Sequence, residues 1–121
     1  MTLTQLQNLN VAYQKQAEQV AELFPGLLGG MTAIIRSAKR IDERFKLLIS
    51  AKSEIQFHNL MNKIEEEMDE IIFILDRLDE ANTERKITKI SDFLMEGYEL
   101  LSVYSKCCDI VIGKRVVKED E

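Results

Sequence analysis

The chain has no tryptophan, one proline, one histidine, two cysteines and five glycines in 121 residues, and each scarcity removes a class of protein. So little proline and glycine excludes collagen-like and low-complexity chains. Two cysteines cannot staple a disulfide scaffold; Cys107 and Cys108 are adjacent, so their Cβ atoms diverge along a helix and a bridge between them is strained. Two free thiols are expected, and with them a reducing, cytoplasmic setting. No run approaches the roughly eighteen apolar residues of a membrane span. The start, Met1-Thr-Leu-Thr-Gln, lacks a basic segment followed by an apolar one, so neither secretion nor membrane insertion is expected.

A lone histidine, His58, leaves no nucleophilic triad to assemble, and a histidine on a bundle helix is ordinarily a surface or boundary residue. No Glu stands three residues before it, so the Glu-x-x-His pairs of di-iron bundles are missing. There is no glycine-rich phosphate loop, and no cofactor is implied.

What is present is 45% hydrophobic and 31% charged, too apolar for wholesale disorder, with a net charge of -5 that repels a phosphate backbone at long range. The apolar residues step by three and four in four segments, the spacing that keeps them on one side of a helix. The first stripe is Leu6, Leu9, Tyr13, Ala17, Val20 and Phe24, with Thr2 and Gln5 forming a capping box, and Pro25-Gly26 and Gly29-Gly30 break it. The second is Met31, Ile34, Ala38, Ile41, Phe45 and Leu48, ending at Ser50–Lys52. The third opens on a Ser53…Gln56 capping-box pattern and carries Phe57, Met61, Ile64, Met68, Ile71, Leu75 and Leu78. A connection over Asp79–Thr83, with Asn82 or Thr83 as the next N-cap, leads to the fourth. That stripe is Ile87, Ile90, Leu94, Leu101, Tyr104, Cys108 and Val111, with Gly97 as the small seam position and Gly113-Lys114-Arg115 as the stop. The expectation is an all-α, antiparallel, up-down, left-handed four-helix bundle over residues 1–115, with a frayed charged tail over 116–121.

Two features exceed what a single bundle needs. The fourth helix carries a second apolar row, Phe93, Leu100, Val103, Cys107 and Ile110, and the third turns apolar all round at Ile71-Ile72-Phe73-Ile74-Leu75. A homo-oligomer is expected to cover this surplus through Phe73, Ile74, Phe93, Leu100, Val103, Cys107 and Ile110; a thick single core is the alternative.

Two charged constellations bear on function. On the second helix Arg36, Arg40 and Arg44 step by four on the side away from the seam, with Lys39 and Lys46 beside them. Such a stripe could grip nucleic-acid phosphates or an acidic partner, and it is equally a solvated face that Glu66 or Asp69 of a neighbouring helix would neutralise. On the third helix Glu66, Glu67 and Glu70 spell Glu-Glu-x-x-Glu, half of a magnesium pattern used by all-α nucleotide pyrophosphohydrolases. The second half, Glu-x-x-Asp, is missing downstream of Asn82, so a solvated acidic face is the simpler reading.

Arg36-Ser37-Ala38, Ile41, Ser53 and Phe57, then Glu67, Glu70, Phe73, Leu75 and Leu78, then Glu96, Glu99 and Leu100 follow a recognisable order. In this it resembles the small bacterial four-helix-bundle proteins of the 23S ribosomal RNA intervening-sequence family. The likeness covers roughly two-thirds of the chain from Ile35 onward; Arg44, Phe45 and Leu47 replace the family's usual Asn-Ile and Glu, and Ile74 its common Trp. The resemblance implies a non-enzymatic bundle assembling into a ring, commonly a pentamer. Similar bundles include accessory proteins of diversity-generating retroelements, which associate with a reverse transcriptase and its nucleic acid. Three functions are therefore carried forward: an oligomeric scaffold presenting repeated surfaces to a protein partner, an accessory subunit of a reverse transcriptase, and a magnesium-dependent nucleotide hydrolase.

Overall fold

A computed structural model describes the backbone of residues 2–120 and the side chains of residues 2–113. Among the described residues the chain is all-helical, with four α-helices and no strand: α1 (Leu3–Leu23), α2 (Leu28–Ile49), α3 (Glu54–Arg85) and α4 (Thr88–Asp120). One turn of 3-10 helix, Pro25–Leu27, joins α1 to α2, with the proline at the position where a missing N–H costs nothing. No described helix is long and apolar enough to cross a membrane.

The termini of the helices follow local chemistry. Thr2 Oγ1 accepts from the Gln5 N–H and Gln5 Oε1 accepts from the Thr2 N–H, which satisfies two otherwise orphaned donors of α1. Ser53 Oγ accepts from the Gln56 N–H at 3.1 Å, but Gln56 Oε1 takes the Lys52 N–H instead of that of Ser53, so half of the expected box forms. Ser50, with its N–H bonded to the Leu47 and Leu48 carbonyls, ends α2 where its apolar stripe runs out.

Several boundaries differ from the sequence reading. Gly29 and Gly30 lie inside α2, because one proline-initiated turn already joins it to α1 and two glycines only weaken a helix that packing then holds. The Asp79–Thr83 segment is helical; α3 continues to Arg85, and Thr83 Oγ1 donates back to the Asp79 carbonyl within it. The connection is only Lys86-Ile87, so Ile87 precedes α4. Lys86 takes the left-handed conformation (φ 51°, ψ 42°) that closes a helix C-terminus. Asn82 holds this turn: its Oδ1 accepts from the Ile87 N–H at 3.0 Å and its Nδ2 donates to Ser91 Oγ at 3.0 Å. Gly113 lies within α4 and does not end it. The side chains of the expected tail, 116–121, fall outside the described residues.

The helices that follow one another pack together, and α1 also packs on α4, whereas among the described residues α1 with α3 and α2 with α4 make no direct backbone contact. Each helix therefore has two neighbours and must bury a face wide enough for both. The α2 stripe is buried throughout, as is that of α3 except for half-buried Met68. In α1, Leu9 is 44% exposed and Asn10 takes its place in the interior, where Nδ2 donates to the Ala38 carbonyl of α2 at 2.9 Å. Gln14 Nε2 in turn donates to Asn10 Oδ1, so the buried amide is satisfied on both sides.

The second apolar row of α4 is corrected in the same way. Phe93 is fully buried against Tyr13 of α1, the rings meeting edge-on at 4.7 Å, and Leu100 is buried too. They are core residues of the single chain, because α4 packs on both α1 and α3 and must bury a face wider than one row. Val103 and Cys107 are half-buried, and of the row only Ile110 is exposed.

Candidate functional site

The charged residues singled out in the sequence converge on one place, the seam between α2 and α3. Arg44 Nη1 donates to Glu67 Oε1 at 2.8 Å, and Arg40 Nη1 reaches the same oxygen at 3.4 Å. Positions 40 and 44 are one turn apart on α2, so both guanidinium groups approach from one helix while α3 supplies the carboxylate. Glu67 is the buried member of its acidic run, with its side chain 10% exposed. Ser37, one turn before Arg40, is buried beside this carboxylate, and neither its hydroxyl nor Glu67 Oε2 makes a hydrogen bond of full geometry.

Burial alone would raise the Glu67 pKa. The hydrogen bond from Arg44, the adjacent Ser37 and the charges of Arg40 and Arg44 outweigh it and hold the carboxyl below its ordinary range. A carboxylate so held is a poor proton acceptor and a good anchor. Its chemistry is that of an interhelical clamp, not of a general base.

The basic row does not remain a row. Arg40 and Arg44 turn toward α3, and Lys46 pairs with Asp42 on its own helix at 3.3 Å. Arg36 and Lys39 stay exposed. The neutralising partner expected at Glu66 or Asp69 is Glu67; the helical period places positions 66 and 69 on the outer side.

The three carboxylates of the magnesium alternative, Glu66, Glu67 and Glu70, do not converge on one point. Glu67 is turned inward to two arginines while Glu66 and Glu70 are exposed, and no group of three or more His, Cys, Asp or Glu able to hold a metal occurs among the described residues.

His58 is exposed and lies 3.5 Å from Glu54 Oε2, an ordinary pair one turn apart. Cys107 and Cys108 are free thiols. Burial raises both, Cys108 to about 11 with Cys107, Glu65 and Asp109 adding to it, so neither is poised as a thiolate nucleophile.

At the α1–α2 corner an open groove of about 680 Å³ is lined by Leu23, Phe24, Leu27, Leu78, Asn82 and Ile90 among others, with Glu84 and Arg85 as its charged residues. Asn82, its uncharged polar side chain, is already committed to the α3–α4 turn.

Of the residues expected at an oligomer interface, Phe73 is 59% exposed and Ile110 53% exposed. Ile74 is half-buried, its Cγ2 lying 3.6 Å from where a Cβ on Gly30 would be. Sequence reasoning missed Asn10, Ser37 and Asn82 as interior residues. Only their positions at i+3 and i+4 from core residues marked them.

Comparison with family models, with curated proteins and with solved structures gives no match.

Proposed function

We propose that this chain is a non-enzymatic helical scaffold that assembles with itself, as a ring, and presents repeated copies of one surface to a protein partner. The observation that carries this reading is the outward placement of large apolar side chains on an otherwise well-filled bundle, above all Phe73 on α3 and Ile110 on α4. The interior polar groups point the same way. Asn10, Tyr13, Glu67 and Asn82 each join two helices or close a turn, and so fix the shape of the bundle rather than form a reaction centre.

The scaffold is read as an up-and-down, left-handed bundle with antiparallel neighbours. Gly30 lies by Ile74 while Arg44 reaches Glu67, so residue numbers fall along α3 as they rise along α2. Asn82 with Ser91 and Asp76 with Tyr98 support the same sense for α3 and α4.

Light scattering after size exclusion, at low and high salt, tests the function. A mass several times 14.0 kDa with a protein-like ratio of absorbance at 260 and 280 nm is the expected result. A monomer removes the scaffold reading. A raised ratio that falls with salt would replace it with a nucleic-acid-associated subunit using Arg36 and Lys39.

A further inference from the structure

The outer sides of α2 and α3 carry complementary patterns. On α2, Arg36, Arg40, Glu43 and Leu47 are spaced four, three and four residues apart, which places them in one line along the helix. On α3, read backwards, Glu84, Glu80, Arg77 and Phe73 have the same spacing. Laid antiparallel, the two lines bring Arg36 to Glu84, Arg40 to Glu80, Glu43 to Arg77 and Leu47 to Phe73.

All eight side chains reach the surface, Arg40 while keeping its 3.4 Å approach to Glu67. Leu47 is 52% and Phe73 59% exposed, the Arg40 side chain is 48% exposed, and the other five are exposed. Among the described residues Arg36, Glu43, Glu80 and Glu84 make no ion pair within the chain. Arg77 lies over the Phe73 ring at 5.4 Å, which leaves it on the same outer surface. Within one molecule the two lines cannot meet. The inner register of α2 on α3, with Gly30 by Ile74 and Arg44 by Glu67, is a different one, and it turns the outer faces apart.

We propose that the α2 outer line of one molecule docks antiparallel on the α3 outer line of a second copy, in the four pairs given above. This rests on the self-assembly reading and names the surface that performs it. The contact is heterologous, since each copy offers α2 to one neighbour and α3 to the other. The two faces diverge around the bundle, so successive copies turn in one sense, as the ring of the proposed scaffold requires. The apolar Leu47–Phe73 pair anchors one end and the three ion pairs set register and direction.

The test uses charge exchanges that leave net charge unchanged and spare the Glu67 clamp. One variant is Arg36→Glu with Glu43→Arg; a second is Arg77→Glu with Glu84→Arg; a third carries all four. Sedimentation velocity across a dilution series reads the dissociation constant. Each two-site variant alone is expected to weaken association by roughly tenfold or more, because two attractive pairs become repulsive. The four-site variant is expected to recover the association of the wild-type chain, and an equimolar mixture of the two others to associate more tightly than either alone. Wild-type self-association that none of these exchanges alters would overturn this interface and leave the scaffold standing. A wild-type chain that stays monomeric would overturn both.

Discussion

Gly97 of α4 lies directly against the Tyr13 hydroxyl of α1. A methyl group built on it would overlap that oxygen and come within 2.8 Å of Leu75 Cδ1 on α3. The same hydroxyl donates to the Phe93 carbonyl at 3.3 Å, so the missing side chain of one helix admits the aromatic tip of another and fixes their relative height. Helix propensity favours alanine over glycine by about 1 kcal/mol, and here packing reverses the preference.

Gly97→Ala is therefore expected to destabilise the chain by about 1–3 kcal/mol, the usual cost of overpacking a well-filled interior. Combining it with Tyr13→Phe, which removes the clashing oxygen, should recover part of the loss. Urea unfolding of the two single variants and the double variant measures the coupling. Strict additivity would show that the close approach is not what excludes a side chain at position 97.

Glu67→Ala should cost roughly 1.5–3 kcal/mol, because it leaves Arg44 facing an interior without its acceptor. The contribution of Arg40 is smaller, since its side chain is 48% exposed and screened by water. Glu67 is held below its ordinary pKa, so the folded state prefers the ionised form. Its contribution is complete above the pKa of the unfolded carboxyl, near 4.3 for a free glutamate, and is lost as pH falls through the lower folded value. Denaturant midpoints measured from about pH 6 down to pH 3 should fall more steeply for the wild-type chain than for Glu67→Gln.

Lys86 occupies a left-handed backbone position that a side chain disfavours by about 1–2 kcal/mol and that glycine adopts freely, at an entropic cost of roughly 0.5–1 kcal/mol. Lys86→Gly should raise stability by about 0.5–1 kcal/mol and Lys86→Val should lower it. Thermal melts of the pair settle the sign, and a gain for valine would contradict the geometry of the turn.

Both thiols are held in the neutral form by burial, Cys108 up to about 11. At pH 8 iodoacetamide should label the folded chain more slowly than the unfolded one, with half-buried Cys107 reacting before buried Cys108. Mass spectrometry along the time course reads the order. Fast labelling of both would mean that this part of α4 opens readily.

The seams of α2 and α3 were legible because nothing competes with their apolar stripes: every expected position from Met31 to Leu48 is buried. The cap of α1 was legible for a similar reason, since Thr2 and Gln5 satisfy each other within one turn. Less could be read of Glu67, which sits among Glu65, Glu66, Asp69 and Glu70 and is distinguished only by facing α2. The surplus row of α4 was visible in sequence and given to a second molecule. Phe93 and Leu100 belong to the chain's own core because α1 folds back onto α4, a contact between the two ends of the sequence.

Helical content and the main seams were thus determined by the sequence alone, since they depend on three- and four-residue spacing and on hydrogen bonds closed within a turn. Tertiary structure decided which polar residues go inside and which apolar ones stay out. Asn10 enters because the Ala38 carbonyl waits for it, Glu67 because Arg44 does, and Gly97 stays bare because Tyr13 fills its place. Each of these choices depends on an atom from another helix, and the period of a single helix carries no information about its neighbours.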